Sequence, residues 1–290
     1  MLLDVILDTD AYNEIDDQFA IAYLLRSADK LRCRAVCAAP FHNQKSGGPA
    51  DGMEKSYHEI RKILSLMERE DLYPQVFRGS DRWLKDEKTP VDSPAAREIV
   101  RLAGEYSPEK PLYVVAIGAI TNVASALLTA PGIARSIVVV WLGGHAPHWE
   151  NTWEFNMAGD IAAARVVFLS GAPLVQLPCM GVVSAFTTTK PELEYWLAGK
   201  NALCDYLAQN TIDEAERYAK GRPWSRVIWD ATAVGWLLGG LMRDQEIPRH
   251  VPSYDFQYEA QPGLPPMRIV WHVDRDRLME DLFKKLARAA

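Results

Sequence analysis

Residues 4–20 read DVILDTDAYNEIDDQFA, and this stretch decides both the fold and the chemistry. The apolar run Val5, Ile6 and Leu7 reads as a strand that ends in Asp8 and Asp10. After a short polar loop, Asp16 and Asp17 open a segment with the apolar period of a helix. Open α/β sheets place their ligands at the carboxyl ends of strands. Four like charges within ten residues repel one another unless a cation, protons or substrate hydroxyls compensate them. A helix cap or a first-turn acid accounts for Asp16 and Asp17, each worth ~0.5–2 kcal/mol. Neither accounts for Asp8 and Asp10. An all-oxygen acidic set suits a hard divalent ion, Ca²⁺ or Mg²⁺.

Composition narrows the class. The 290 residues are 48% hydrophobic and include nine Trp and eleven Tyr, ample for a large core. A net charge of −6 speaks against a protein that grips a nucleic-acid backbone. No run of 18 apolar residues exists, so no membrane span is expected. The opening enters a strand directly, without the basic and long apolar segments of a secretory leader. Cys33, Cys37, Cys179 and Cys204 fit no zinc spacing, and Cys33 and Cys37 read as small core residues. A reduced, cytoplasmic compartment is the economical expectation.

Strand patterns fall at 4–7, 33–39, 75–78, 112–117, 136–142 and 173–177, with helical periods between them at 17–26, 51–69, 93–104, 121–129 and 160–170. Such alternation implies right-handed crossovers and a mostly parallel sheet. The near-continuous apolar runs 113–117 and 137–142 fit a sheet covered on both faces. Later helices are expected at 191–197, 202–219, 230–241 and 275–289, with strands near 252–258 and 267–273. No repeat or Pro/Gly/Ser linker marks a boundary. The expectation is a single α/β domain over 1–290, an open Rossmann-like sheet flanked by helices, with its active site at the strand carboxyl ends.

Polar residues concentrate in the loops at that edge: Asn43 and Gln44, Thr121 and Asn122, Gly143 to His145, Glu154 and Asn156, and Trp229 with Asp230. Together with the opening stretch, this ordered set resembles the calcium-dependent nucleoside hydrolases, the inosine–uridine-preferring family that cleaves ribonucleoside N-glycosidic bonds. Asp8, Asp10, Asp16 and Asp17 are similar to its Asp-x-Asp…Asp-Asp signature, and Asn43 to its Asn after the second strand. Residues 118–124 (GAITNVA) resemble its Gly-x-Leu-Thr-Asn-Val-Ala element. Gly143 and Gly144 followed by Glu154 and Asn156 resemble its Gly-Gly…Glu-x-Asn segment.

The resemblance implies that Asp10, Asp17, the carbonyl of Ile117 and Asp230 hold Ca²⁺, with Asp8 supporting the shell. It implies that Asp10 accepts a proton from a metal-bound water. Asp16, Asn43, Glu154 and Asn156 would hydrogen-bond the ribose hydroxyls. A homodimer or homotetramer acting on a small nucleoside, with no nucleic-acid polymer or membrane partner, is also implied. The chemistry is coherent on its own terms. Breaking a C1′–N bond builds positive charge on the ribose, which carboxylates stabilise while a cation helps water attack.

Two departures from the pattern matter. The loop between Asp10 and Asp16 is two residues longer than the usual form and lacks its Gly, so Asn13 at positive φ is an expected way to turn. Glu14 reads as a solvent-facing loop acid or an additional ligand. Trp229 stands where well-known members have a His that protonates the departing base, which indole cannot do. Trp229 would then stack on the base, or sit in the core beside Trp236. Another side chain would donate the proton, with Tyr218, Arg222, His145 or His148 as candidates, or the leaving group would need no acid.

Three rival readings remain. Asp8 and Asp10 after a strand also resemble the haloacid-dehalogenase-type phosphatases, but the later Lys and acidic pair of that mechanism are missing. A Ca²⁺- and ribose-binding protein without turnover is a second. A hydrolase of an unusual or modified N-riboside is the third.

Overall fold

Eight strands form one sheet in the order 76–78, 31–38, 3–9, 112–116, 137–142, 174–177, 267–273 and 242–247, parallel throughout except for the last, an edge strand. The computed structural model describes residues 2–288. The strands are β1 Leu3–Thr9, β2 Leu31–Ala38, β3 Val76–Arg78, β4 Leu112–Ala116, β5 Ile137–Leu142 and β6 Leu174–Leu177. The short strands β7 Thr187–Thr188 and β8 Arg226–Val227 pair with each other. They precede β9 Met242–Ile247, the antiparallel hairpin of β10 His250–Pro252 and β11 Tyr258–Ala260, and β12 Met267–Val273.

The helices are α1 Asp17–Leu25, α2 Pro49–Leu66, α3 Pro94–Ala103, α4 Thr121–Thr129, α5 Phe155–Gly159 and α6 Ile161–Leu169. Then come α7 Lys190–Trp196, α8 Ala202–Ala219, α9 Ala231–Leu238 and α10 Arg275–Leu286. None of the described helices is long and apolar enough to cross a membrane.

Strand alternation explains why the central strands are apolar on both faces. Val5 and Leu7 of β1, Val115 of β4 and Val140 of β5 pack with α1, α2, α9 and α10. Ile6, Val114, Val139 and Trp141 face the opposite way, into α3, α4 and α6. With a core on each side, the sheet needs no polar face. The order reverses between β1 and β4, the two strands that leave the middle in opposite directions. At such a point the loops diverge and open a crevice. Asp8 to Asp10 and Ile117 to Asn122 flank it.

Two local expectations change, one short helix is added, and one expected helix end falls outside the described residues. The stretch 252–258 is mainly the turn of the β10–β11 hairpin, with Phe256 at φ 57° closing it. The helix expected to run to 241 ends at Leu238, because Gly239 and Gly240 adopt φ of 72° and 74°. These left-handed residues stop a helix and release β9 as an edge strand. The five-residue α5 was too short to show a period. Residue 289, the expected end of the last helix, lies outside the described residues.

Phe168 is fully buried and meets Trp141 edge-on, with ring centroids 6.1 Å apart. Phe168→Ala should cost about 3–5 kcal/mol in urea unfolding. A loss below about 1 kcal/mol would show that this face of the sheet does not pack as described.

Candidate active site

The first acidic loop is held from outside by neighbouring side chains. The N–H of Asn13 donates to the Asp10 carbonyl at 2.7 Å, closing a turn. Among the described residues, only Glu68 and Phe256 are non-glycine positions with positive φ, so the expected left-handed Asn13 is not found. Gln18 Nε2 donates to the Ala11 carbonyl at 2.7 Å, and Ser56 Oγ accepts the Tyr12 N–H at 3.3 Å. Asn43 Nδ2 donates to Asn13 Oδ1 at 2.6 Å. Two extra residues are thereby accommodated without glycine.

Asp16 and Asp230 immediately precede α1 and α9, yet neither carboxylate makes a side-chain cap hydrogen bond. Capping therefore does not explain them. Asp16 Oδ2 instead accepts the N–H of Asp230 at 3.4 Å, and Thr9 Oγ1 donates to Asp17 Oδ1 at 2.5 Å. Oxygens of Asp16, Asp17 and Asp230 all lie within 4.8 Å of one another. Asp10 is not part of that tight trio, whereas Asp16, expected at the ribose, is. Asp10 faces the same cavity, and its Oδ2 is buried without a hydrogen-bond partner. A Cβ at Gly118 would lie 2.8 Å from Asp10 Oδ1, so only glycine lets this carboxylate sit against the β4 loop. Asp8 lies behind, with Oδ1 accepting from Asn122 Nδ2 at 2.8 Å and Oδ2 unpartnered.

Arg226 offsets Asp16 only in part, and burial raises the pKa of these acids. Asp8 and Asp17 rise to about 7 and Asp16 to about 8. Asp10 and Asp230 are pushed well above the carboxylate range by burial, with their acidic neighbours adding to it. Such a set fits a hard cation: the donors are all oxygens, two converging helix ends supply three of them, and two buried carboxylate oxygens lack partners. The Ile117 carbonyl accepts Asn156 Nδ2 at 3.2 Å, which leaves its second lone pair for another partner.

The cavity above the acids measures about 330 Å³. Glu154 and Asn156 line it, as expected. Glu154 also caps α5, taking the N–H groups of Asn156 at 2.9 Å, Met157 at 3.1 Å and Gly144 at 2.9 Å. Trp229, Trp153, Phe155, His145, Cys179 and Met180 form its less polar side. Trp229 is partly buried and also packs against the core, so both of its expected roles are compatible. Burial lowers the His145 pKa.

Other expected residues stand further off. Asn43 reaches the cavity only through Asn13. His148 is exposed and lines a separate groove with Trp271. Tyr218 and Arg222 are exposed and absent from the lining; Arg222 Nη2 donates to the Tyr218 carbonyl at 2.6 Å. Glu14 does line the cavity, as the partner of Arg226 at 2.6 Å. Arg226, which also donates to Tyr218 Oη at 3.1 Å, carried no sequence signal. Asn122 did, inside the 118–124 motif, but its grip on Asp8 was not foreseen.

An acid-lined crevice at the switch point of a doubly wound sheet stands where α/β enzymes of this topology bind their ligands. The profile of the inosine-uridine preferring nucleoside hydrolases matches residues 5–280, and the chain belongs to that family. It is an N-ribohydrolase, acting on the N-glycosidic bond of ribonucleosides. The pyrimidine-specific ribonucleoside hydrolase RihA of Enterobacter sp. (strain 638) is 27% identical over 266 residues, covering 82% of this chain and 80% of the relative. RihA of Salmonella typhimurium is also 27% identical, over 264 residues, with the same coverage. Among solved structures, the plant nucleoside hydrolase PpNRh1 matches with a TM-score of 0.78 at 20% identity over 100% of both chains. The purine-preferring ribonucleoside hydrolase of Gardnerella vaginalis gives 0.78 at 20% identity over 98% of both.

Raised carboxylate pKa values fix the sign of a stability experiment. Without divalent cation, the folded protein keeps protons that the unfolded chain has released above its ordinary value of 3.8. Stability should therefore fall as pH rises from about 4 through about 8. Adding Ca²⁺ should raise the melting temperature more at about pH 8 than at about pH 5. A melting temperature in chelator that is flat across this range would contradict the buried acid cluster.

Proposed function

We propose that this chain is a Ca²⁺-dependent ribonucleoside hydrolase in which Asp10 is the general base. The observation that carries the reading is the partnerless, buried Asp10 Oδ2 facing a cavity beside the Asp16–Asp17–Asp230 trio. Asp10, Asp17, Asp230 and the Ile117 carbonyl would hold the cation, with Asp8 braced by Asn122 behind them. Bound there, Ca²⁺ supplies the Lewis acidity that makes water a competent nucleophile at neutral pH. Its flexible six-to-eight oxygen coordination also tolerates a vicinal diol.

This chain's own groups do the rest. Asp10 accepts the proton of the attacking water. Asp16, Glu154 and Asn156 take the ribose hydroxyls, and Asn43 acts through Asn13, which it orients. As the C1′–N bond lengthens, the carboxylates stabilise the positive charge on the sugar. Trp229 lies against the base, where stacking is worth about 1–3 kcal/mol. The free thiols support a reduced, cytoplasmic setting, and the family likeness supports a homodimer or homotetramer of one domain spanning 1–290.

Asp10→Asn should lower kcat by about 10²–10⁴ while the protein stays folded. Asp16→Asn should lower kcat/KM by about 10–150-fold, the worth of a charged hydrogen bond to a hydroxyl. Chelator should abolish ribose release from a nucleoside panel, and Ca²⁺ should restore it. Asp10→Asn retaining more than about a tenth of kcat would remove the general-base assignment.

A further inference from the structure

We propose that His145 is the hydrogen-bond donor to the departing base, acting as a neutral imidazole through Nε2–H. This rests on the hydrolytic reading above and supplies what Trp229 lacks. His145 follows β5 on the loop that leads to Glu154, and its side chain lines the cavity with Trp153, Phe155 and Trp229. Its backbone N–H, its carbonyl and its Nδ1 are each held by a neighbour, and the ring also meets backbone at Trp153 and Gly144. Its N–H donates to Thr152 Oγ1 at 3.0 Å, and its carbonyl accepts Tyr258 Oη at 3.0 Å. Its Nδ1 accepts the Met180 N–H at 3.2 Å.

The last bond selects the tautomer. A ring nitrogen that accepts an N–H bears no proton, so the proton of the neutral ring is on Nε2. Burial disfavours the imidazolium, while the nearby carbonyls of Trp153 and Gly144 act in the opposite, weaker sense and favour a ring N–H. The ring is thus a neutral donor, as the histidine electrophile of triosephosphate isomerase is.

The support beneath the loop is built for this. Thr152 Oγ1 and Tyr258 Oη are 2.7 Å apart, and Gln176 Nε2 reaches Tyr258 Oη at 2.5 Å and the Gly143 carbonyl at 2.9 Å. His250 Nε2 contacts Gln176 Oε1 at 3.0 Å. A Cβ at Gly144 would lie 2.3 Å from Thr152 Oγ1 and 2.6 Å from Tyr258 Oη, and Gly144 has φ 71°. Glycine there lets both hydroxyls reach the residue that follows. The β10–β11 hairpin thereby helps fix a histidine on the cavity that the acids line.

The step balances without a further reactant. The bond from water oxygen to C1′ forms as C1′–N breaks, and the bond pair stays on the base. One water proton passes to Asp10. The base leaves as an anion held by Nε2–H and takes its proton from solvent, into which Asp10 later releases its own. Stabilisation falls on charge that exists only as the bond breaks, so it lowers the barrier rather than tightening ground-state binding.

Leaving-group dependence tests the assignment. Wild type, His145→Phe and His145→Gln would be compared on the best of inosine, adenosine, guanosine, uridine and cytidine, and on p-nitrophenyl β-D-ribofuranoside, whose nitrophenolate needs no help. His145→Phe should lose about 10²–10³ in kcat on the nucleoside and less than about threefold on the nitrophenyl riboside. His145→Gln, which retains an N–H, should recover part of the loss. Equal losses on both substrates would assign His145 a purely structural role and overturn the proposal. Wild-type cleavage of the nitrophenyl riboside but of no nucleoside would overturn it too. Cleavage of neither would overturn the hydrolytic reading on which it stands.

Discussion

Repulsion among buried carboxylates is the constraint around which this molecule is arranged. At an effective dielectric of about 20, two charges 4.8 Å apart repel by about 3.5 kcal/mol, and Asp16, Asp17 and Asp230 form three such pairs. Asp10 adds to this. Burial raises the pKa of all five acids in the bare protein, acidic neighbours add to the rise for Asp10, Asp16, Asp17 and Asp230, and protonation relieves the repulsion. A divalent cation relieves it while leaving the acids ionised. The helix termini of α1 and α9 face the same point and contribute partial positive charge, though each is worth only ~0.3–1 kcal/mol. The fold supplies the geometry of the problem and a small part of its solution.

What holds the acids in place is a ring of uncharged polar groups. Asn122 ties Asp8 and also donates to the Ala38 carbonyl at 3.2 Å, while Ser80 donates to Asn122 Oδ1 at 2.9 Å. Gln18, Ser56 and Asn43 hold the 11–15 loop from three different elements. None carries charge, so each restrains an acid or its loop without neutralising it. Arg226 is the exception, and it pairs with Glu14 at the rim, outside the trio. Charge compensation at the centre is thereby left to whatever binds there.

The parts of this architecture legible in the sequence are those with a single dominant cause. Central strands such as 113–117 and 137–142 must be apolar on both faces, and that alone identifies them. Asp8, Asp10, Asp16 and Asp17 are close in sequence, so their crowding is visible before folding. The β10–β11 hairpin was misread as a strand because its turn, 253–257, contains Tyr254 and Phe256, residue types enriched in strands. Strand β9, MRDQEI, is a mostly polar edge and shows little hydrophobic pattern. The glycine pair before it was the available signal. Arg226 and Tyr258 meet the site from distant elements through tertiary contacts, and no local pattern encodes such a meeting.

The same separation divides the cavity by function. Six acids line it, and one of them, Glu14, is paired with Arg226. A divalent cation offsets two of the other five charges, so an excess of negative charge remains to meet a sugar that becomes cationic. That excess would oppose a leaving group that becomes anionic. The two ends of the scissile bond therefore need environments of opposite character within about 330 Å³. On the proposed assignments, the sugar end is built from β1, α1, α9 and Glu154 with Asn156, and the base end from His145 and Met180. The second end is an outlying loop over a hairpin, free of the constraint on the acids. Replacing a histidine with Trp229 beside Asp230 is therefore tolerable when another loop can present an N–H to the same base.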